Sequence, residues 1–178
     1  MLSNFLNNPI SSQTQTSAKQ EQFLRVHLVP DTNIILSINQ ITEVLNIPVE
    51  KIVPIPQMPA WTMGVYNWRG EVLWMVDLGH LVGLTPWHKQ RYASSNYRAI
   101  VIHHGDRKLN ENAGEKLGLI VHQVEDLEWC NPDQIQSPPA ASVTPELVPF
   151  LRGYWLKTNG EILIVIDAET IMAAMPKL

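Results

Sequence analysis

The sequence predicts an all-β protein made of two pseudo-symmetric small β-barrel subdomains with short helices, and three observations carry that reading. First, Leu36 to Pro56, LSINQITEVLNIPVEKIVPIP, aligns without a gap on Leu119 to Pro139, LIVHQVEDLEWCNPDQIQSPP, matching Gln40 to Gln123, Ile41 to Val124, Glu43 to Asp126, Ile52 to Ile135 and Pro56 to Pro139. Second, Gly70 to Asp77, GEVLWMVD, returns almost unchanged as Gly160 to Asp167, GEILIVID. Preserved order and spacing mark an internal duplication, and two copies make a double domain, because a solenoid needs roughly three or more repeats. Third, the chain between these blocks is a series of short β-prone runs punctuated by Gly and Pro, as strands bending around a small barrel require.

Taken in order, residues 1–20 are rich in Asn, Ser, Gln and Thr and read as a flexible polar tail, since so few apolar groups cannot offset the entropy of ordering. Phe23 to Val29 alternates like a strand, and Pro30-Asp31-Thr32-Asn33 turns the chain into a second strand, Ile34 to Ile38. Asn39 to Leu45 carries Ile41, Val44 and Leu45. From Ile47 to Pro59 four prolines predict an extended crossing with largely solvated amides and carbonyls. Met63 to Arg69 and Glu71 to Val76 are strands separated by Gly70, and Asp77 caps a short helix stopped by Gly83 and Pro86. The first subdomain is thus residues 21–86, and the polar stretch 87–96 is a connector. The second, 97–178, repeats the order: Tyr97 to His103, a long turn over Gly105 to Gly114, strands at Leu117 to Val124, Gly153 to Lys157 and Glu161 to Ile166, and a helix capped by Asp167.

Composition excludes several classes. A content of 45% hydrophobic residues in 178 is ample for a packed core. Net charge of −4 with scattered Lys and Arg leaves no basic face for nucleic acid or an anionic membrane. No window reaches the roughly 18 apolar residues of a membrane span, the start lacks a signal-peptide pattern, and the single cysteine, Cys130, suits a reducing compartment; these features predict a cytoplasmic protein.

Catalytic machinery is not evident. Cys130 has no nucleophile signature around it and reads as structural. His103 and His104 are adjacent and point to opposite faces of a strand, while His27, His80, His88 and His122 lack ligand-spaced partners, so no metal site is predicted. Asp77 and Asp167 read as helix caps, Glu71 and Glu161 as exposed turn residues, and no glycine run has phosphate-cradling spacing. No cofactor is predicted. What stands out is a departure from the repeat: Asn67 and Arg69, in GVYNWRG, have no counterparts in the second copy, GYWLKTNG. Either Arg69 closes a turn that Asn67 satisfies, or Arg69 lies opposite Glu43 on a contact surface.

These segments resemble the CheW family, the coupling proteins of bacterial chemotaxis arrays. The resemblance rests on Ile41-Thr42-Glu43-Val44, Pro59-Ala60-Trp61, the signature Gly64-Val65-Tyr66-Asn67-Trp68-Arg69-Gly70, Val76-Asp77-Leu78, Pro132-Asp133-Gln134-Ile135 and Leu151-Arg152-Gly153, and it spans about Phe23 to Met175. It implies two five-stranded SH3-like barrels packed across an apolar interface. It also implies a non-enzymatic adaptor that bridges the cytoplasmic tips of methyl-accepting receptors to the regulatory domain of a CheA-type histidine kinase in a receptor array at the membrane. Partner-binding positions implied by the match are Ile41, Glu43, Gly64, Asn67 and Arg69, with Glu43 and Arg69 as a surface ion pair. Trp68 departs from the aliphatic residue usual there, and six tryptophans with a long polar tail point to a pilus-motility or phototaxis system. The alternatives are a kinase-binding decoy that does not couple receptor, and a small-ligand barrel or enzyme.

Overall fold

The computed structural model describes residues 19–91, 94–104, 114–137 and 143–176, so the predicted tail up to residue 18 and most of the predicted turn over 105–114 lie outside the described residues. The first copy forms β1 (Glu21–Leu28), β2 (Thr32–Ser37), β3 (Ile41–Pro48), β4 (Thr62–Trp68), β5 (Glu71–Asp77) and α1 (Leu78–Leu81). The second forms β6 (Asn96–His103), β7 (Lys116–Val121), β8 (Gln123–Cys130), β9 (Leu151–Leu156), β10 (Ile162–Ile166) and α2 (Ala168–Ala173).

Ten strands make two five-stranded sheets, and neither sheet belongs to one copy. The first runs β8-β1-β2-β10-β9 and the second β3-β6-β7-β5-β4. Under the sequence duplication β1 to β5 correspond to β6 to β10, and this exchange converts one strand order into the other. Each sheet therefore takes its first hairpin from one copy and its other three strands from the other. Only the joins β2 to β10 and β7 to β5 are parallel; the remaining pairs are antiparallel. The sequence boundaries at 86 and 97 separate the copies but not the sheets, because the chain changes sheet between β2 and β3 and again between β7 and β8.

Those hand-overs correct two local readings. Leu117 to Val124 is not one strand: it breaks at His122, and Gln123–Cys130 forms an eight-residue strand of the other sheet. The proline-rich crossing is not simply extended and solvated. Val49–Lys51 forms a 3-10 turn, and Val53, followed by a proline that has no N–H, exchanges both backbone hydrogen bonds with Val65 at 2.8 and 2.9 Å. Gln136 and Tyr154 make the equivalent pair in the second copy.

Strand alternation divides the core into three. One face of the first sheet buries Phe23, Ile35, Cys130, Leu163 and Val165. One face of the second buries Ile47, Trp68, Leu73, Met75, Tyr97 and Val101. The other faces of both meet in a shared apolar layer holding Leu24, Val26, Leu36, Ile41, Val76, Ile100, Ile102, Leu119 and Ile166. At about 1.5–3 kcal/mol per fully buried aliphatic side chain, that layer is the dominant stabilising contact between the sheets. Both helices begin at the predicted caps: Asp77 accepts from the His80 N–H at 3.1 Å and Asp167 from the Glu169 N–H at 2.9 Å.

Because every sheet needs strands from both copies, a fragment ending at residue 91 should not fold by itself. Its circular dichroism melt is expected to show no cooperative transition, and mixing it with a fragment of residues 94–178 is expected to restore one.

Candidate functional site

Of the five residues singled out in the sequence, Gly64 and Asn67 lie on β4, Arg69 sits in the β4–β5 turn, and Ile41 and Glu43 lie on β3. Trp68 pairs with Glu71, leaving Arg69 and Gly70 as a two-residue loop. Both have positive φ, 54° and 85°, the geometry of a type I′ turn that matches strand twist. Asn67 is exposed, and its Oδ1 accepts the Gly70 N–H at 3.0 Å, so the turn-satisfying role read for it is present. Arg69 is 68% exposed, yet its Nη2 donates to Glu43 Oε2 at 2.8 Å. The same carboxylate oxygen accepts the Trp68 indole N–H at 3.1 Å. The Arg69 guanidinium lies 4.9 Å from the Trp68 ring centroid and the Lys116 ammonium 5.1 Å, so the buried indole carries two cations on its electron-rich ring. Trp68 thus ties hairpin β4–β5 to β3 and β7, a purpose an aliphatic side chain would not serve.

Ile41 and Gly64 are placed differently. Ile41 is buried in the shared layer opposite Ile102, and its side chain is closed to direct contact with a partner. Gly64 is buried too, at φ 134°, with the Val53 carbonyl where a Cβ would stand. Its function is to let β4 approach the crossing strand. Of the five residues, burial therefore leaves Glu43, Asn67 and Arg69 with side chains open to solvent.

A second polar cluster escaped the sequence reading. Arg25 of β1, 17% exposed, reaches Glu125, Glu128 and Glu161, and Lys157 bonds Glu128 at 2.8 Å and lies 3.7 Å from Glu161. Glu161 is thus not the free turn residue that its position after a glycine suggested. Hydrogen bonding to Arg25 holds its carboxyl below the ordinary range, and the same bond raises Arg25. In the second sheet the equivalent of Arg25 is Val101, of Lys157 Trp68, and of Glu128 Leu45. At these three positions one sheet carries ions and the other apolar side chains.

The remaining candidates keep structural surroundings. Cys130 is fully buried, donates weakly to the Asn131 carbonyl at 3.4 Å, and burial pushes its thiol up to about 11, which makes it a poor nucleophile. His27 and His122, far apart in sequence, stack edge to face at 5.8 Å, and burial with the neighbouring His27 lowers His122. Their Nδ1 atoms are engaged by Asn33 and Gln90 at 3.0 and 2.9 Å. Among the described residues no three His, Cys, Asp or Glu side chains converge as metal ligands. No described helix is long and apolar enough to cross a membrane.

Comparison with known proteins places this geometry. A family model described as the CheW-like domain matches residues 22–175. Among solved structures, the scaffolding protein TtCheW from Thermoanaerobacter tengcongensis shares the fold with a TM-score of 0.66 at 24% sequence identity, over 84% of this chain and 90% of that chain. Curated protein sequences gave no match.

Two outcomes are expected from this geometry. Gly64→Ala must push β4 off the crossing strand and strain its own backbone, lowering stability by about 2–4 kcal/mol in denaturant titration. For Glu161 the folded pKa lies below the unfolded one, so its stabilisation is complete above about pH 4.3 and is lost as pH falls through the folded value. Arg25→Met should cost about 2 kcal/mol at pH 7 and flatten the acid loss of stability, read from melts between pH 7 and 3.

Proposed function

The chain belongs to the CheW-like domain family, and from that premise we propose that it is a non-catalytic adaptor joining methyl-accepting receptors to a CheA-type histidine kinase. The observation that carries this reading is the strained presentation of Arg69. A side chain other than glycine in the left-handed region costs roughly 1–2 kcal/mol, while an exposed ion pair contributes about 0–1 kcal/mol. The Arg69–Glu43 pair on its own does not offset its turn. What the arrangement achieves is a guanidinium held outward in one orientation by a carboxylate and an indole, on the segment that carries the family signature. An oriented charge of this kind steers and registers a protein partner.

In this reading Glu43, Asn67 and Arg69 meet the kinase regulatory domain or the receptor tip, and Gly64 and Ile41 hold the strands that present them. The tryptophan-rich composition and the polar N-terminal stretch favour a pilus-motility or phototaxis pathway over flagellar chemotaxis. Placement is at the cytoplasmic side of a receptor array, with no direct membrane insertion.

Arg69→Glu is expected to weaken binding to the kinase regulatory domain or the receptor tip by tenfold or more, about 1.4 kcal/mol, with a much smaller loss of folding stability. The double exchange Glu43→Arg with Arg69→Glu should regain stability and still bind poorly, because the pair's attraction returns while the face a partner meets is inverted. Calorimetric titration and thermal melts of the same samples read both quantities. Unchanged affinity in the single variant would return Arg69 to a turn-closing role. Co-sedimentation with receptor and kinase together, rather than kinase alone, distinguishes an adaptor from a decoy.

A further inference from the structure

Beside α2 the surface opens into a groove of about 810 Å³, walled by Met58, Trp61, Trp68, Trp74, Met172 and Met175. The duplication supplies a second view of the same place. Asp77 donates its N–H to the Trp61 carbonyl at 2.9 Å, and Asp167 donates to the Phe150 carbonyl at 3.0 Å, so Trp61 corresponds to Phe150 and Met58 to Leu147. Counting from the two caps, Met172 and Ala173 correspond to Val82 and Gly83.

At the equivalent place beside α1 the chain itself lies against the end of the helix. The stretch from Gln136 to Gly153 is six residues longer than that from Val53 to Gly64. Its described part lies along the end of α1. The Thr144 hydroxyl donates to the Val82 carbonyl at 2.5 Å, and the Glu146 side chain packs over Gly83, where a Cβ would meet it. Val143 packs on the shared layer, and Leu147 and Phe150 are buried in it. In the first copy Met58 and Trp61 stand where Leu147 and Phe150 do, the four residues before Met58 are exposed, and the Met58 and Trp61 side chains stay only partly buried.

We infer that the groove beside α2 seats a short segment of a partner polypeptide, of the kind the chain itself lays beside α1: an aliphatic side chain followed by a hydroxyl residue, largely apolar beyond. Three indoles and three thioethers suit such a guest, since Met side chains adjust their shape to the surface they meet. The inference is independent of the receptor and kinase reading, because it can be tested with neither present.

The test uses the full chain with ¹³C-methyl-labelled methionine, titrated with a capped synthetic peptide of residues 142–150, SVTPELVPF. Methyl signals of Met58, Met172 and Met175 are expected to shift saturably, while those of Met63 and Met75, packed with the separate core of the second sheet, stay in place. Ala173→Arg, an exposed position on the groove wall, should weaken the peptide at least tenfold without changing the melting temperature. Replacing the peptide's first valine and its threonine, the counterparts of Val143 and Thr144, by glycine should have the same effect. Absence of saturable shifts up to millimolar peptide, shifts indifferent to Ala173→Arg, or equal response to the glycine peptide would overturn the inference. Shifts that depend on protein concentration without peptide would overturn it in favour of a second copy as the occupant.

Discussion

The shared apolar layer between the two sheets is the constraint on which the rest of the molecule depends. Each copy of the duplicated sequence places its first hairpin in one sheet and its other three strands in the other, so the chain must cross the layer twice. Leu24, Val26 and Leu36 meet Ile100, Ile102 and Leu119 there, and neither set has water-free surroundings without the other. Separating the sheets would expose this surface and also pull on the hand-over segments at residues 38–40 and 122. Folding of the two sheets is coupled by both packing and covalent connection.

The duplication supplies one skeleton, and the two copies then diverge where the skeleton does not constrain the side chains. At one end of each sheet the same backbone positions carry Arg25, Glu128 and Lys157 in one case and Val101, Leu45 and Trp68 in the other. Apolar closure allows the Trp68 indole to lean on Glu43 and to support Arg69 at the turn. Ionic closure offers no such platform, and the second copy has no arginine at the corresponding hairpin. The candidate contact residues therefore sit on one sheet only, despite the pseudo-symmetry of the fold.

The same divergence governs the helices. Asp77 and Asp167 start equivalent helices with equivalent caps, but the Asp77 carboxylate also accepts the Trp87 N–H at 2.7 Å, whereas Asp167 accepts the Gln40 side-chain amide at 2.8 Å. The first bond fastens the connector between the copies. The second ties β3's approach to α2, across the shared layer. Equivalent acids thus hold non-equivalent joints, and the connector is an anchored element, with Trp87 stacked edge to face on Tyr97 at 5.1 Å.

Much of the architecture was legible in the sequence because it is local or repeated. Alternation marked β1, short β-prone runs marked β4 and β5, glycine marked the β4–β5 turn, Asp before an apolar run marked both helix starts, and the duplication announced two similar β modules, one to each copy, a division that the sheets do not follow. The signature around Gly64 and Arg69 pointed to the family and to the Glu43–Arg69 pair. Three things were settled only by tertiary structure. Which strands share a sheet depends on where the chain crosses the layer, and a hydrophobic pattern is the same whichever sheet a strand joins. The burial of Ile41 and Gly64 depends on what lies opposite them, which no neighbour in sequence specifies. The Arg25 cluster gathers charges from β1, β8 and the β9–β10 hairpin, and the open groove is walled by the first crossing, β5 and α2; both are relations between distant segments that become contacts only after the backbone has closed.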